Sequence, residues 1–304
     1  MRILLDLFFA ARPLLQLPIW TVYLISLHYH NQRTGDSFEV KDLLVMFGIS
    51  FLFTGAAYLN QVYDLESDRI NQKVGFLHKG ILKPPQLTTG FAIVSIVPMA
   101  AAPFGSLVLL IIFAQFLLLA YVYSVPPLRL KDRPIGGLLA NAYGHGLLVA
   151  VAVASDYALL DIGKLRWDIP VYFSLTVGAT YILTTIPDRV GDAATGKRTL
   201  GVVLGPVLTQ VVAAVFFLLS VGVAYSNGYG ILVYLSIMAL FLVLAALFLR
   251  TDGSIRFASK IPLLLLTLVA GHFYPVYFGF VVALLIATRA YYHKRFGIVY
   301  PELT

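Results

Sequence analysis

Uninterrupted apolar stretches of about 20 residues, the length a helix needs to cross a bilayer core, recur along the whole of this chain. Leu43 to Leu59 (LLVMFGISFLFTGAAYL) is one of them. This pattern constrains the fold more than any other feature, because a water-soluble domain has no room to bury so many such segments. The 304 residues are 59% hydrophobic and only 12% charged, which no soluble domain of ordinary composition matches. The reading is an all-α membrane protein. Spans are expected near 12–30, 41–63, 86–104, 106–123, 137–155, 170–187, 201–223, 229–249 and 262–288, about nine transmembrane helices in one bundle. The last is interrupted by Gly271-His-Phe-Tyr-Pro275, so it is either kinked or two shorter helices. No small-residue cleavage site follows the first stretch, so it reads as a retained span. Helices spread evenly from end to end favour a single domain over 1–304.

The charges order the loops. With the start of the chain in the cytoplasm, 15 of the 22 Lys and Arg residues fall on that side, from Arg2 and Arg12 through Arg129, Lys131 and Arg198 to Lys260. The other side takes the remaining 7: Arg33, Lys41, Lys164, Arg166, Arg289, Lys294 and Arg295. The positive-inside rule therefore places the loops after the second, fourth, sixth and eighth helices in the cytoplasm, with the basic C-terminal residues running against it. The net charge of +7 belongs to this topology and to lipid headgroups, not to nucleic acid. The absence of cysteine excludes disulfides, thiolate metal sites and thiol catalysis.

Directly after the second apolar run stands Asn60-Gln-Val-Tyr-Asp64-Leu-Glu-Ser-Asp68. On a helix, each step of four residues turns the side chain by only about 40° and climbs about 6 Å. Asn60, Asp64 and Asp68 thus form a row of oxygen ligands at the membrane boundary, and Glu66 falls off it. A second row, Asp188-Arg-Val-Gly-Asp192-Ala-Ala-Thr-Gly196-Lys-Arg198, follows the sixth run. Each row follows the even-numbered helix of its half, which suggests two related four-helix halves, about 12–123 and 137–249, plus a ninth helix.

Four carboxylates in one cleft stay ionised only if positive charge joins them. Oxygen ligands suit Mg²⁺, which typically combines one or two carboxylates with substrate phosphates. Two Mg²⁺ ions on Asn60, Asp64, Asp68, Asp188 and Asp192 would balance the acids and leave a diphosphate in need of cations, which Arg12, Lys73, Lys131 and Arg198 can supply. A diphosphate whose apolar remainder lies among membrane helices is a prenyl diphosphate. Asn141 and His145, four apart inside the fifth span, are a polar pair at membrane depth. They either satisfy one another's helices or recognise an acceptor. Tyr123 and Ser124 either cap the fourth helix or touch substrate. The other histidines share no metal-ligand spacing.

The two rows, with Arg12-Pro13 at the first span and Tyr123-Ser-Val-Pro-Pro-Leu-Arg-Leu-Lys131 after the fourth, resemble the UbiA superfamily of intramembrane prenyltransferases. The resemblance runs from Arg12 to the last span. It implies a nine-helix fold around a central cavity with a cytoplasmic cap and an opening towards lipid. It also implies both acidic rows binding Mg²⁺ and diphosphate, catalytic roles for Asp64, Asp68, Asp188 and Asp192, and transfer of the prenyl chain to an acceptor. Asn60-Gln-Val-Tyr-Asp64 leans towards members acting on aromatic quinone or tocopherol precursors; a glycerol-phosphate ether-lipid precursor is the alternative acceptor. The chain departs from the family at Phe76-Leu-His-Lys-Gly80, where many members have Arg-Pro-x-x-Ser-Gly. Two other classes compete. A secondary transporter would use its carboxylates for ion coupling near the midplane, whereas these lie at helix ends. A phosphatidyl-type alcohol transferase would carry an Asp-Gly-x-x-Ala-Arg segment, which this chain lacks.

Overall fold

The computed structural model describes residues 2–70, 75–155 and 165–301, and these form helices without a strand among them. In chain order they are α1 Arg2–Ala10, a 3₁₀ turn Pro13–Gln16, α2 Leu17–Thr34, α3 Val40–Tyr63, α4 Leu65–Ile70, α5 Pro84–Gly105 and α6 Leu107–Ser124. There follow α7 Pro134–Ala154, α8 Asp168–Thr184, α9 Arg189–Ala194, α10 Leu200–Val203, α11 Gly205–Ser226, α12 Gly230–Leu249, α13 Asp252–Phe273 and α14 Pro275–Phe296. Local chemistry sets many of the ends. Asp42 accepts the Glu39 amide at 2.8 Å to open α3, Ser106 accepts the Leu109 amide at 2.9 Å to open α6, and Gly297 closes α14 in the left-handed region.

Among the described residues, eight helices are long and apolar enough to cross a membrane, or nine if α1 and Pro13–Thr34, bent by 43°, make one span. This agrees with the expected nine, with two local differences. At 17 residues α8 falls just short of that length. The expected span 262–288 is two helices, α13 and α14, because Pro275 cannot continue the first and instead opens the second. The consequence is topological. Tyr274, at the start of α14, meets Phe38 beyond the far end of α2, whereas Tyr291 near its other end stacks on Phe9 of α1. Lys294 and Arg295 therefore lie on the face that carries Arg12 and the acidic rows, with Arg289 less than two turns before them. The anomaly in the charge count came from missing this return. Arg33, Lys41 and Arg166 stand on the far face as expected, and Lys164 lies outside the described residues.

α2 is the central helix. Its residues from Leu17 to Leu27 are almost all buried, packed by α3, α7 and α13 around Trp20, Tyr23 and Ile25. At the far face Asp168 ties three helices together, accepting from Arg33 at 2.8 Å, Arg166 at 2.9 Å and the Tyr229 hydroxyl at 2.7 Å. Outer helices are apolar all round, and residues such as Phe104 and Phe248 point outward, as lipid contact requires.

α7 packs its backbone against that of α8 at Gly146, inside a π-helical stretch, Ala142–Leu148. A Cβ there would stand 2.6 Å from the Phe173 carbonyl oxygen of α8, so only glycine allows this approach. Gly146→Val is expected to lower the thermal midpoint in detergent by several degrees, since backbone must move to make room. Gly222→Ala, which meets nothing within 4 Å, should leave it unchanged; equal midpoints for the two variants would contradict this packing.

Candidate functional site

α3 ends at Asp64, yet the backbone keeps its helical connection: the Asp64 amide donates to Asn60 and the Asp68 amide to Asp64, both at 2.8 Å. The i, i+4 row therefore survives the break into α4, and Asp64 and Asp68 are both buried. A carboxylate in that position needs cations, and they come from the other loops. Lys131 Nζ lies 2.8 Å from Asp64 Oδ1, with 7% of its side chain exposed. Arg129 Nη2 reaches the same oxygen at 3.5 Å and its Nε sits 2.7 Å from Asp132. Burial pushes the Lys131 ammonium below the usual lysine range, and the Asp64 carboxylate opposes that shift.

The second row arrives from the loop after α8. Asp192 is buried at the start of the short helix α9; it accepts the Thr199 hydroxyl at 3.2 Å. Lys197 Nζ bridges the rows, 3.7 Å from Asp64 and 3.9 Å from Asp192. The Arg198 amide donates to the Asp132 carbonyl at 2.9 Å, stitching this loop to the one after α6. From the start of the chain, Arg12 Nη2 stands 3.7 Å from Asp68 Oδ2. Arg12 and Arg129 both hold left-handed backbone, φ 52° and 38°. That conformation costs a side-chain-bearing residue about 1–2 kcal/mol, which the charge pairs at each arginine help to offset.

Beneath this charged layer a cavity of about 230 Å³ runs into the bundle between α2, α3, α6 and α7. Arg12 and Asn60 stand at its mouth; Leu52, Phe53, Phe116 and Leu119 give it an apolar wall. Asn141 donates to the Tyr123 hydroxyl at 3.2 Å and to the Gly137 carbonyl at 2.9 Å. Tyr123 also shares a hydrogen bond with Tyr181 of α8. His145 projects from the π-helical stretch with its ring 4.4 Å from Phe53. Among the described residues, two buried atoms of the cavity lining have no hydrogen-bond partner: Gln16 Oε1 and His145 Nδ1. Each such atom costs about 1–3 kcal/mol unless something polar joins it.

Thus the structure brings Asp64, Asp68, Asp192, Arg12 and Lys131 to one place, and sets Asn60, Tyr123, Asn141 and His145 around the cavity beside it. Asp188, at the N-cap of α9, is exposed, as is the Arg198 side chain. Ser124 is fully buried and is not part of the cavity wall. Lys73 lies outside the described residues. Arg129, Asp132, Lys197, Tyr181 and Gln16 were not singled out from the sequence. Lys197 had a signal, since it follows the turn at Gly196 directly after the second row. Among the described residues no three His, Asp or Glu side chains are grouped to hold an ion between them. The oxygen-only donors, paired in rows beside several cations, nevertheless suit Mg²⁺, which takes few carboxylates and completes its shell with phosphate and water.

Solved UbiA homologues share the fold of this chain. One from Archaeoglobus fulgidus, bound to DMAPP and Mg²⁺, superposes with TM-score 0.65 at 18% identity, covering 86% of this chain and 97% of that one. One from Aeropyrum pernix K1 gives 0.67 at 19% identity, with 86% and 96% covered. Residues 19–261 match the model of the UbiA prenyltransferase family, and the chain belongs to that family. Curated relatives include a 2-acyl-4-prenylphloroglucinol 6-prenyltransferase of Humulus lupulus, 33% identical over 53% of this chain and 41% of its own length. A digeranylgeranylglyceryl phosphate synthase of Halobacterium salinarum is 31% identical over 56% of this chain and 59% of its own. The chain thus spans about half the length of the curated relatives it matches.

Removing one partner of a buried ion pair typically costs about 3–5 kcal/mol, because the other charge is stranded. Lys131→Met should therefore lower the thermal midpoint clearly, while Arg198→Met should leave it within error. Adding Asp64→Asn to Lys131→Met should recover part of the loss. Equal midpoints for Lys131→Met and Arg198→Met would show that Asp64 does not depend on Lys131.

Proposed function

We propose that this protein transfers a prenyl group from a prenyl diphosphate to an aromatic acceptor within the membrane. The observation that carries the reading is the stacking of two parts: a layer of paired aspartates and cations, and directly beneath it an apolar-walled cavity entered between Arg12 and Asn60. A diphosphate belongs to the first and an isoprenoid chain to the second. Bound through Asp64, Asp68, Asp188, Asp192 and Asn60, two Mg²⁺ ions would neutralise the departing diphosphate. Lys131, Lys197, Arg129 and Arg12 act on the same oxygens, so the C1–O electron pair leaves with the diphosphate. Phe53 and Phe116, with ring centroids 5.3 Å apart, offer faces to an allylic cation, and the apolar wall keeps water from capturing it. The acceptor ring attacks C1, a C–C bond forms, and the ring loses the proton from the attacked carbon.

The acceptor class follows from the cavity wall. Inside the mouth its polar groups are all neutral: Gln16, Tyr123, Asn141 and His145. Ring hydroxyls would satisfy Gln16 Oε1 and His145 Nδ1, whereas a glycerol phosphate would bring a second anion to a wall that, among the described residues, has no cation below Arg12. The return of α14 places Lys294 and Arg295 beside the other loop cations, and this supports a cytoplasmic mouth.

Purified protein with Mg²⁺, labelled prenyl diphosphate and a panel of phenolic acids should release diphosphate and prenylated aromatic product in equal amounts, with no membrane gradient. Asp64→Asn, Asp192→Asn or excess chelator should abolish turnover in protein that remains folded. Turnover in chelator, or gradient-driven accumulation of an unmodified solute, would overturn the reading. Gln16→Leu and His145→Leu should each raise the acceptor KM about tenfold, the loss expected for a buried hydrogen bond, and leave the prenyl diphosphate KM near wild type. An unchanged acceptor KM in both would remove the hydroxyl-recognition role. For orientation, single cysteines at Gly75 and Ala194 should resist an impermeant thiol reagent in sealed right-side-out vesicles; labelling without permeabilisation would invert the topology.

A further inference from the structure

Asp6 is a buried carboxylate on a helix otherwise made of apolar residues after Arg2, and the chemistry above has no use for it. It is held by the far end of the chain. Arg295 of α14 donates to it through two parallel bonds, Nε to Oδ1 and Nη2 to Oδ2, each 3.0 Å. The Tyr291 hydroxyl donates to it as well. One turn along α1, Phe9 stacks on the Tyr291 ring with centroids 3.8 Å apart and planes 14° from parallel. The same helix is fixed to α3, because the Tyr58 hydroxyl donates to the Leu7 carbonyl at 2.9 Å and Gln61 donates to the Ala10 carbonyl. α1 is therefore clamped between the helix that carries the first acidic row and the last helix of the described chain.

What leaves this clamp is Arg12. It follows Ala10 by two residues, takes left-handed backbone at φ 52°, and points its guanidinium at Asp68, 3.7 Å away. A residue with that backbone has little freedom to readjust, so its side chain goes where α1 sends it. The family match covers residues 19–261, so Asp6, Arg12 and Arg295 all lie outside the matched region. The two ends of the described chain pair with each other, and the product of the pairing is the placement of a cation at the mouth.

We propose that Asp6 and Arg295 form a latch through which α14 positions Arg12 to receive the diphosphate, making Arg295 a positioning residue for the proposed reaction. The proposal rests on Arg12 acting on the diphosphate. A charge-assisted bidentate pairing is the strong kind of hydrogen bond, and its removal frees α1 from the bundle on one side. The latch should show in prenyl diphosphate recognition and not in acceptor recognition, because the acceptor side of the cavity is built from Gln16, held at the buried start of α2, and from Tyr123, Asn141 and His145 of α6 and α7.

The test is a double-mutant cycle on the purified full chain with Mg²⁺, reading the KM for prenyl diphosphate and for acceptor separately. Arg295→Ala should raise the prenyl diphosphate KM about tenfold, the effect expected when one charge-assisted hydrogen bond to the diphosphate is removed. The acceptor KM should stay within about twofold of wild type, because α1 takes no part in that side of the cavity. Combined with Arg12→Ala, Arg295→Ala should add nothing beyond Arg12→Ala alone. Should Arg295→Ala fail to fold, Asp6→Asn crossed with Arg12→Ala reads the same coupling. Additive effects, or equal changes in both KM values, would overturn the latch and leave the role of Arg12 standing. An unchanged prenyl diphosphate KM in Arg12→Ala by itself would remove that role, and the latch with it.

Discussion

A carboxylate at the end of a membrane helix has to be met by positive charge, and this structure is organised around meeting Asp64. Lys131 and Arg129 from the loop after α6 and Lys197 from the loop after α8 all reach its Oδ1. Because Lys197 also touches Asp192, and Arg198 and Arg129 both engage Asp132, the two loops are tied together through the same small set of charges. Burial makes these pairs interdependent: Lys131 is costly to keep charged without Asp64, and Asp64 without Lys131. The charged layer also fixes the heights of α3, α6, α7 and α8, and so the walls of the space beneath them.

That space divides into two chemistries. Leu52, Phe53, Phe116 and Leu119 make a surface suited to an isoprenoid chain, whereas Gln16, Asn141 and His145 bring hydrogen-bonding atoms to membrane depth. Polar atoms there are expensive, and the π-helical stretch around His145 is the kind of local irregularity that often marks a functional position. The contrast between a charged mouth and a neutral interior is what separates the acceptor classes. An aromatic ring with hydroxyls suits the interior, and a second phosphate does not.

Much of this was legible in the sequence, for definite reasons. The rows Asn60-x-x-x-Asp64-x-x-x-Asp68 and Asp188-x-x-x-Asp192 were visible because helical spacing turns position into a shared face, even across the break at Asp64. The apolar runs were visible because bilayer thickness sets their length. The loop cations were harder to read. Whether Arg129, Lys131 or Arg198 reaches a carboxylate depends on the turn geometry between α6 and α7 and at Gly196, which no periodicity encodes. Lys131 goes in, while Arg198 contributes its amide and leaves its side chain outside. The ends of the chain were harder still. Pro275 reads equally as a kink or a stop, and counting 262–288 as one span put Arg295 on the wrong face, away from Asp6. Gln16 passed unnoticed because a lone glutamine in an apolar run has no partner in sequence; its significance appears only once α2 and α7 face one cavity.

The central claim is that one site holds a metal-bound diphosphate above and an isoprenoid chain below. It is tested most directly by the anomalous scattering of Mn²⁺ in crystals grown with a non-hydrolysable prenyl thiodiphosphate. The account predicts Mn²⁺ peaks between the diphosphate and the carboxylates of both acidic rows, with Lys131 and Lys197 on the phosphate oxygens and the chain against Phe53 and Phe116. Mn²⁺ absent from both rows, or the chain lying outside the cavity, would contradict it.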